Sequence, residues 1–278
     1  MMKPTLLLLT NFTHGSLHEL EEEDIFLAEY LRKHFRVMVS HPLDCEKVED
    51  NVDCILMRNI WPVFEYQNEW ENVKKRFMKK GLVVYNPLSA QGDMVGKDHV
   101  LELFNAGYPV IPTVDKVSHI ETLQAAGDYF IKPKVGCDAI GAKRVSQKEL
   151  QKLRGKLRDY VIQPYIDFVY EVSFYVLDGK IIHAFSTPKK VSPYTTQAYT
   201  PSKEDILFVK KFVQWNDLPF GLQRVDACRT KEGELLLVEL EDFCPYLNLL
   251  SLDEKKRSAF LKALVLSLKK FVARENRS

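Results

Sequence analysis

Three acidic residues fall inside an apolar run near the C-terminus. The stretch GLQRVDACRTKEGELLLVELEDFCPYL reads as two strands around a turn at Gly233, with Asp226, Glu239 and Glu241 within the strands. A turn centred between Glu232 and Gly233 sets Asp226 opposite Glu239 and Arg224 opposite Glu241. Side chains alternate along a strand, so these four share one face. Leu236, Val238 and Leu240 are then expected to cover the other. Opposed residues have Cβ atoms roughly 5 Å apart. Two like charges about 4 Å apart repel by about 4 kcal/mol at an effective dielectric near 20. Arg224 offsets part of that. The remainder calls for protonation, full hydration or a bound cation, and oxygen-only donors suit a hard ion such as magnesium. A wet edge hairpin is the alternative reading. The apolar FCPYLNLL that follows, with Pro245, runs the strand into buried structure and weighs against it.

Two lysines fit the same chemistry. YFIKPKVGCDAIGAKRV places Lys132 in an apolar strand ahead of a loop containing Gly136 and Gly141. Such an amine can meet phosphate oxygens while the glycine backbone comes close to them. The pattern is not GxxxxGK[ST], and a snorkelling surface lysine is the alternative. Lys97 precedes the helical DHVLELFNAG, where it could equally be a solvated first-turn residue.

The elements that must position these groups follow from periodicity. TLLLLT, RVMVS, DCILMR and LVVYNP are strand-like. SLHELEEEDIFLAEYLRKHF has apolar residues at helical spacing (Leu20, Ile25, Leu27, Leu31), with acids towards its start as a helix dipole favours. FEYQNEWENVKKRFMKKG is a helix closed by Gly81. This β-α-β rhythm predicts a parallel sheet with helices on its faces. After about Pro112 the strands crowd together as YFIKP, AKRV, YVIQPYI and YEVSFYVL, with one helix, SQKELQKLRGKL, among them. Asp178-Gly179 marks a hairpin into KIIHAFSTPKK, and SLDEKKRSAFLKALVLSLKKFVAR is an amphipathic helix. The fold class is therefore α/β, turning α+β in the C-terminal part.

Composition narrows the partners. The 278 residues suit two lobes, or one domain with a lid. With 39 Lys+Arg against 38 Asp+Glu, net charge is +1, which gives no electrostatic reason to expect nucleic acid or an anionic membrane. The apolar run Leu6 to Leu9 is too short to span a bilayer. The five cysteines are scattered without a CxxC, predicting buried thiols in a reducing cytoplasm rather than disulfides or zinc.

In order along the chain, NPLSAQGDMVGKDHVLELFNAGYPVIPT, YFIKPKVGCDAIGAKRV, YVIQPYIDFVYEVSFYVLDGK and the acidic hairpin resemble the ATP-grasp superfamily, from about Asn86 to the C-terminus. The Asn-Pro, GK and PVIPT elements are similar to the glutathione synthetase and RimK branch. RVD followed by ELE and a nearby Pro-x-Leu is most similar to the cycloserine-forming cyclo-ligases, whose RSTWDY is weakly echoed by RNIW at Arg58 to Trp61.

The resemblance implies a pre-ATP-grasp parallel-sheet lobe at 1–95 and a two-lobed ATP-grasp domain at 96–278. Within the latter, a lid would cover about 112–166, and 167–278 would bind metal and phosphate. It implies that Lys97 and Lys132 bind ATP phosphates, that Gln163, Tyr165 and Ile166 form the adenine hinge, and that Glu171 binds the ribose. Lys189 or Lys190 would approach phosphate or substrate. Arg224 would contact the transferred phosphoryl group, and Asp226, Glu239 and Glu241 would hold one or two magnesium (or manganese) ions. Many members carry Asn at the position of Glu241, which the cyclo-ligase group shares. Arg58 and Trp61 end a strand of a parallel sheet, where such folds place ligands; a core tryptophan with a capping arginine is the alternative. His183 is expected to be packed rather than catalytic. His14 and Gly15 follow the first strand in no recognisable phosphate loop. The implied activity is ATP-dependent carboxylate-amine ligation through an acyl-phosphate on an amino acid or small peptide, in a possible homodimer. A silent nucleotide-binding module and a small-molecule hydroxyl kinase are the alternatives.

Overall fold

The computed structural model describes residues 3–11, 18–60, 63–123, 127–136, 140–189 and 195–275. His14, Gly15, Trp61, Cys137 and Lys190 lie outside them. The chain opens with β1 (Thr5–Leu9), α1 (His18–Leu31), β2 (Arg36–Ser40), β3 (Cys54–Met57), α2 (Gln67–Lys80) and β4 (Val84–Tyr85). The strands form a parallel sheet in the order β2-β1-β3-β4. Gly81 ends α2 at φ 63°, where its N–H reaches the carbonyls of Phe77 and Met78.

The α1 face differs from the apolar stripe expected. Leu27 and Leu31 are fully buried, but Ile25 is 60% exposed, while Glu23 and Asp24 are buried beside them. These acids serve Arg58 rather than the helix dipole. Arg58 Nη2 donates to Glu23 at 2.9 Å, Nε to Asp24 at 3.1 Å and Nη1 to the Pro245 carbonyl at 2.7 Å.

The remaining elements are α3 (Asp98–Asn105), β5 (Asp128–Pro133), β6 (Lys143–Ser146), α4 (Gln147–Lys152), β7 (Tyr160–Pro164), β8 (Phe168–Leu177), β9 (Lys180–Pro188), β10 (Gln197–Ala198), α5 (Lys203–Asn216), β11 (Leu222–Thr230), β12 (Leu235–Glu241) and α6 (Glu254–Glu275). A small antiparallel sheet has the order β6-β5-β7, and a larger one β10-β9-β8-β11-β12. Asp178 and Gly179 turn β8 into β9 with φ of 49° and 75°, as the Asp-Gly pair predicts.

One face of the larger sheet, with Val172, Phe174, Val225, Ala227 and Leu237, packs on α3 and α5. At one end of the opposite face, Tyr175, Leu177 and Phe185 join α6 and the N-terminal sheet in a shared core. The small sheet buries Tyr129, Ile131 and Ile162 in a core of its own. Because β5 alternates, Phe130 and Lys132 point the other way, across a cleft towards the larger sheet.

The acidic hairpin pairs as expected, Asp226 with Glu239 and Arg224 with Glu241. Its apolar side does not. A bulge after Asp226 leaves Val238 as an extra residue, and pairing resumes as Ala227 with Leu237. Past the bulge the alternation flips, so Leu235, Leu237 and Leu240 enter the core. Val238 turns to the cleft beside Glu239.

Candidate active site

A cavity of about 250 Å³ lies between the two antiparallel sheets. Phe130 and Lys132 line it from the small sheet, and Glu171, Val238 and Glu239 from the larger one. The glycine loop covers it with Pro133, Gly136, Ile140 and Ala142, and Lys97 closes the inner end. The loop is docked by hydrogen bonds from Lys97 N to the Lys134 carbonyl, 2.8 Å, and from Lys97 Nζ to the Gly136 carbonyl, 2.9 Å. Gly96 permits this approach. Its φ is 81°, and a Cβ there would stand 2.8 Å from the Lys134 carbonyl oxygen.

Four strands align side chains in rows on one face of the larger sheet, running from the α6 core to the cleft. Glu241, Arg224, Tyr175 and His183 are successive cross-strand partners, as are Glu239, Asp226, Ser173 and Phe185; Cys228, Glu171 and Thr187 form the next row. Glu171 is thus two residues along the strand from the carboxylate pair. Arg224 Nη2 bonds Asp226 at 2.9 Å and also pairs with Glu241. Lys97 Nζ bonds Glu239 at 2.9 Å. The three carboxylate side chains are only 18–21% exposed.

Charge in this confined space is out of balance. Burial pulls the Lys132 ammonium below the usual lysine range, and the charge of Lys97 adds to that against the pull of Glu239. Lys97 resists burial because Glu239 outweighs it, so its pKa is raised. Burial likewise works against the Arg224 charge, but Asp226 and Glu241 hold it well above its ordinary value. Glu239 is held below the carboxylate range, since Lys97 and its neighbours outweigh burial. Burial drives Glu241 well up despite Arg224, with Asp226, Asp93 and Glu239 adding repulsion. No three His, Cys, Asp or Glu side chains among the described residues are gathered at metal-ligand spacing. Magnesium commonly uses only one or two carboxylates, completing its shell with phosphate oxygens and water. A mostly buried oxygen set in which Asp226 and Glu239 repel Glu241 suits that mode.

Several expected residues do not line this cavity. Lys189, expected to be catalytic, pairs with exposed Asp167, which also takes Lys231, and lies 5.3 Å from the Tyr165 ring and 5.0 Å from Phe168. This pairing lies just beyond the end of β9, and Lys189 does not line the cavity. Gln163, 2% exposed, gives its amide N–H to Thr113 Oγ1 at 2.9 Å. Tyr165 stacks under the Arg144 guanidinium, 3.8 Å to the ring centre, and Ile166 follows it in the connection to β8. Arg58, expected to touch substrate, is 2% exposed with its donors spent on Glu23, Asp24 and Pro245. A separate cavity of about 240 Å³ opens beside Asp24, between α1 and β2. His183 is packed, 4.2 Å from the Tyr175 ring, and donates to the Leu247 carbonyl at 3.0 Å.

Other supports were not legible as such. Asp93 Oδ1 accepts the N–H groups of Asp242 and Phe243, both at 2.7 Å. In return Asp242 accepts those of Gly92 at 2.7 Å and Met94 at 3.0 Å. Burial raises the Asp93 pKa well above the usual range, and Asp242 and Glu239 add to it. Asn86, at φ 64°, bonds both backbone groups of Leu222 and the Asp242 carbonyl. The available signal was the glycine pair flanking DMV in QGDMVGK, which permits a backbone to run close to a strand.

The parallel-sheet lobe, the small antiparallel sheet and the large antiparallel sheet, with a cleft between the latter two, match the ATP-grasp fold. D-cycloserine synthetase DcsG superposes with a TM-score of 0.74 at 21% identity, covering 94% of this chain and 98% of that one. D-alanine–D-alanine ligase from Bacillus anthracis, solved with ATP, gives 0.69 at 14% identity over 99% of both chains. The ATP-grasp ligase PsnB, solved with a minimal precursor, gives 0.64 at 15% identity, covering 96% and 100%. No family model matches the sequence, and no curated protein does. No helix among the described residues is long and apolar enough to cross a membrane.

Proposed function

We propose that this chain is an ATP-dependent carboxylate-amine ligase that works through an acyl-phosphate. The observation that carries this reading is the single cleft in which Lys97, Lys132 and a glycine loop face Glu239, with Asp226, Glu241 and Arg224 beside it. Phosphoryl transfer needs positioning and charge neutralisation more than covalent chemistry, and these residues supply both.

Lys132 and Lys97 meet the phosphates, and the loop around Gly136 and Gly141 lies over them. Glu171 reaches the ribose, while Gln163 supports the hinge through Thr113 and Tyr165 and Ile166 border the base. Glu239, Glu241 and Asp226 would hold magnesium, which neutralises β- and γ-phosphate oxygens when bound. A substrate carboxylate oxygen attacks the γ-phosphorus and ADP leaves, with the Arg224 fork on the transferred group. An amine then attacks the acyl carbon and phosphate departs. The lobe at about 112–166 closes over the cleft to exclude water, which would otherwise hydrolyse the acyl-phosphate. The substrates are amino-acid or peptide-like, the chemistry named for the D-alanine ligases of the same fold. The free, buried thiols of Cys45, Cys54, Cys228 and Cys244 suit a reducing cytoplasm.

Incubation with ATP, magnesium and pooled amino acids tests the reading. A ligase releases ADP and inorganic phosphate together, dependent on the amine. ADP with a stable phosphorylated product would make the protein a kinase, and no nucleotide turnover across the pool would reject both.

A further inference from the structure

We propose that His99 is a positioning residue that fixes the phosphate-side Lys97 relative to the carboxylates Glu239 and Glu241; the inference rests on the nucleotide-binding reading above. His99 lies in the first turn of α3, two residues after Lys97, and is 1% exposed. Its ring makes two hydrogen bonds, and their geometry defines the tautomer. A carbonyl only accepts, so Nδ1–H donates to Gly96 O at 2.7 Å. Nε2 is then the unprotonated nitrogen, and it accepts the Leu240 N–H at 3.1 Å. Leu240 lies between the two acids. One imidazole therefore bridges the turn that presents Lys97 and the strand that presents Glu239 and Glu241.

The fold makes that bridge consequential. Among the described strands β12 is at the edge of its sheet, so its outward backbone groups are met one by one by other segments. Below the bulge, Leu237 satisfies its outward groups against Pro109 and Ile111, at 2.9 and 3.0 Å. The extra residue Val238 moves the next outward position after Leu237 from 239 to 240. His99 takes the donor at that shifted position, directly between the acids. Neighbouring bonds tie the same two segments, from Lys97 to Glu239 and between Asp242 and Gly92 and Met94. Asp93 holds the Asp242 N–H just after Glu241, and His99 holds the N–H of Leu240, the residue between Glu239 and Glu241.

Three substitutions separate positioning from simple structural support. H99F fills the space and removes both bonds. H99N keeps a donor near Nδ1 for Gly96, and H99Q keeps an acceptor near Nε2 for Leu240. Each of the latter two loses one neutral hydrogen bond, so their melting temperatures should fall by similar amounts. The readout is manganese binding in the presence of a non-hydrolysable ATP analogue, followed by electron paramagnetic resonance of the free ion. Groups that orient metal-binding side chains typically change affinity about 10–100-fold when removed. We expect H99F and H99N to lose affinity in that range and H99Q to recover most of it. Equal affinities for H99N and H99Q, or wild-type affinity in H99F, would overturn the inference; if H99F does not fold, the other pair decides. A wild-type chain that binds no manganese-nucleotide overturns the ligase reading and this inference together. Binding by wild type with indifference at position 99 overturns the inference alone.

Discussion

Replacing Arg58 with Met asks whether that residue organises the fold or touches substrate. The guanidinium is 2% exposed and its carboxylate partners Glu23 and Asp24 are 0% and 3% exposed. Glu23 also accepts the N–H groups of Leu247 at 3.0 Å and Leu249 at 2.7 Å. The variant would leave two buried acids without their cation and release the loop that follows the acidic hairpin. Removing one partner of a buried pair costs about 3–5 kcal/mol. At roughly 2–4 °C per kcal/mol for a chain of this size, the melting temperature should fall on the order of 6–20 °C.

The loss should depend on pH. Burial raises the Glu23 carboxyl from 4.5 to about 7, against the opposing pull of Arg58 and the two N–H donors. A raised folded-state pKa contributes stability at low pH that is lost as pH rises through about 7. Without Arg58 the carboxyl climbs further, so the ionised form is costlier still. The drop should be large at about pH 8 and smaller at about pH 5, where Glu23 is protonated with or without Arg58. Circular dichroism melts at both values provide the measurement. A melting temperature within about 2 °C of wild type at both would refute the reasoning. So would an intact melt joined to a raised KM for a carboxylate substrate, which would restore Arg58 to the substrate site.

Lys132→Met should abolish ADP formation by about 100-fold or more, the effect of deleting one preorganised donor. Because its ammonium is disfavoured by burial, the variant should melt no lower than wild type; a marked destabilisation would contradict this. Lys189→Met should leave ADP formation within about 3-fold, since its pair with exposed Asp167 is a surface contact. A collapse of turnover with a normal melt would return it to the reaction. Burial lowers the His183 pKa from 6.5 to about 4, so stability should decline as pH falls through that window. His183→Phe should flatten that slope in melts across the range, and an unchanged slope would assign it to another group.

What the sequence determined by itself was local. The strands of the first lobe, the Gly81 stop, the Asp178-Gly179 turn and the facing of Asp226 by Glu239 depend on a two-residue period, or on turn residues whose preferred φ is intrinsic. The tertiary structure alone decided which polar groups are spent on the fold. Glu23 and Asp24 sit where a helix dipole would favour acids, yet their partner lies 34–35 residues away at Arg58 and beyond it in the 245–249 loop. Asp93 meets Asp242 across 149 residues, and His99 meets Leu240 across 141. A single extra residue, Val238, exchanged which leucines face the core. Alternation and turn preference act over a few residues and are written in residue type. The pairing of buried charges and the placement of a bulge depend on which distant backbone arrives opposite, and only the folded chain specifies that.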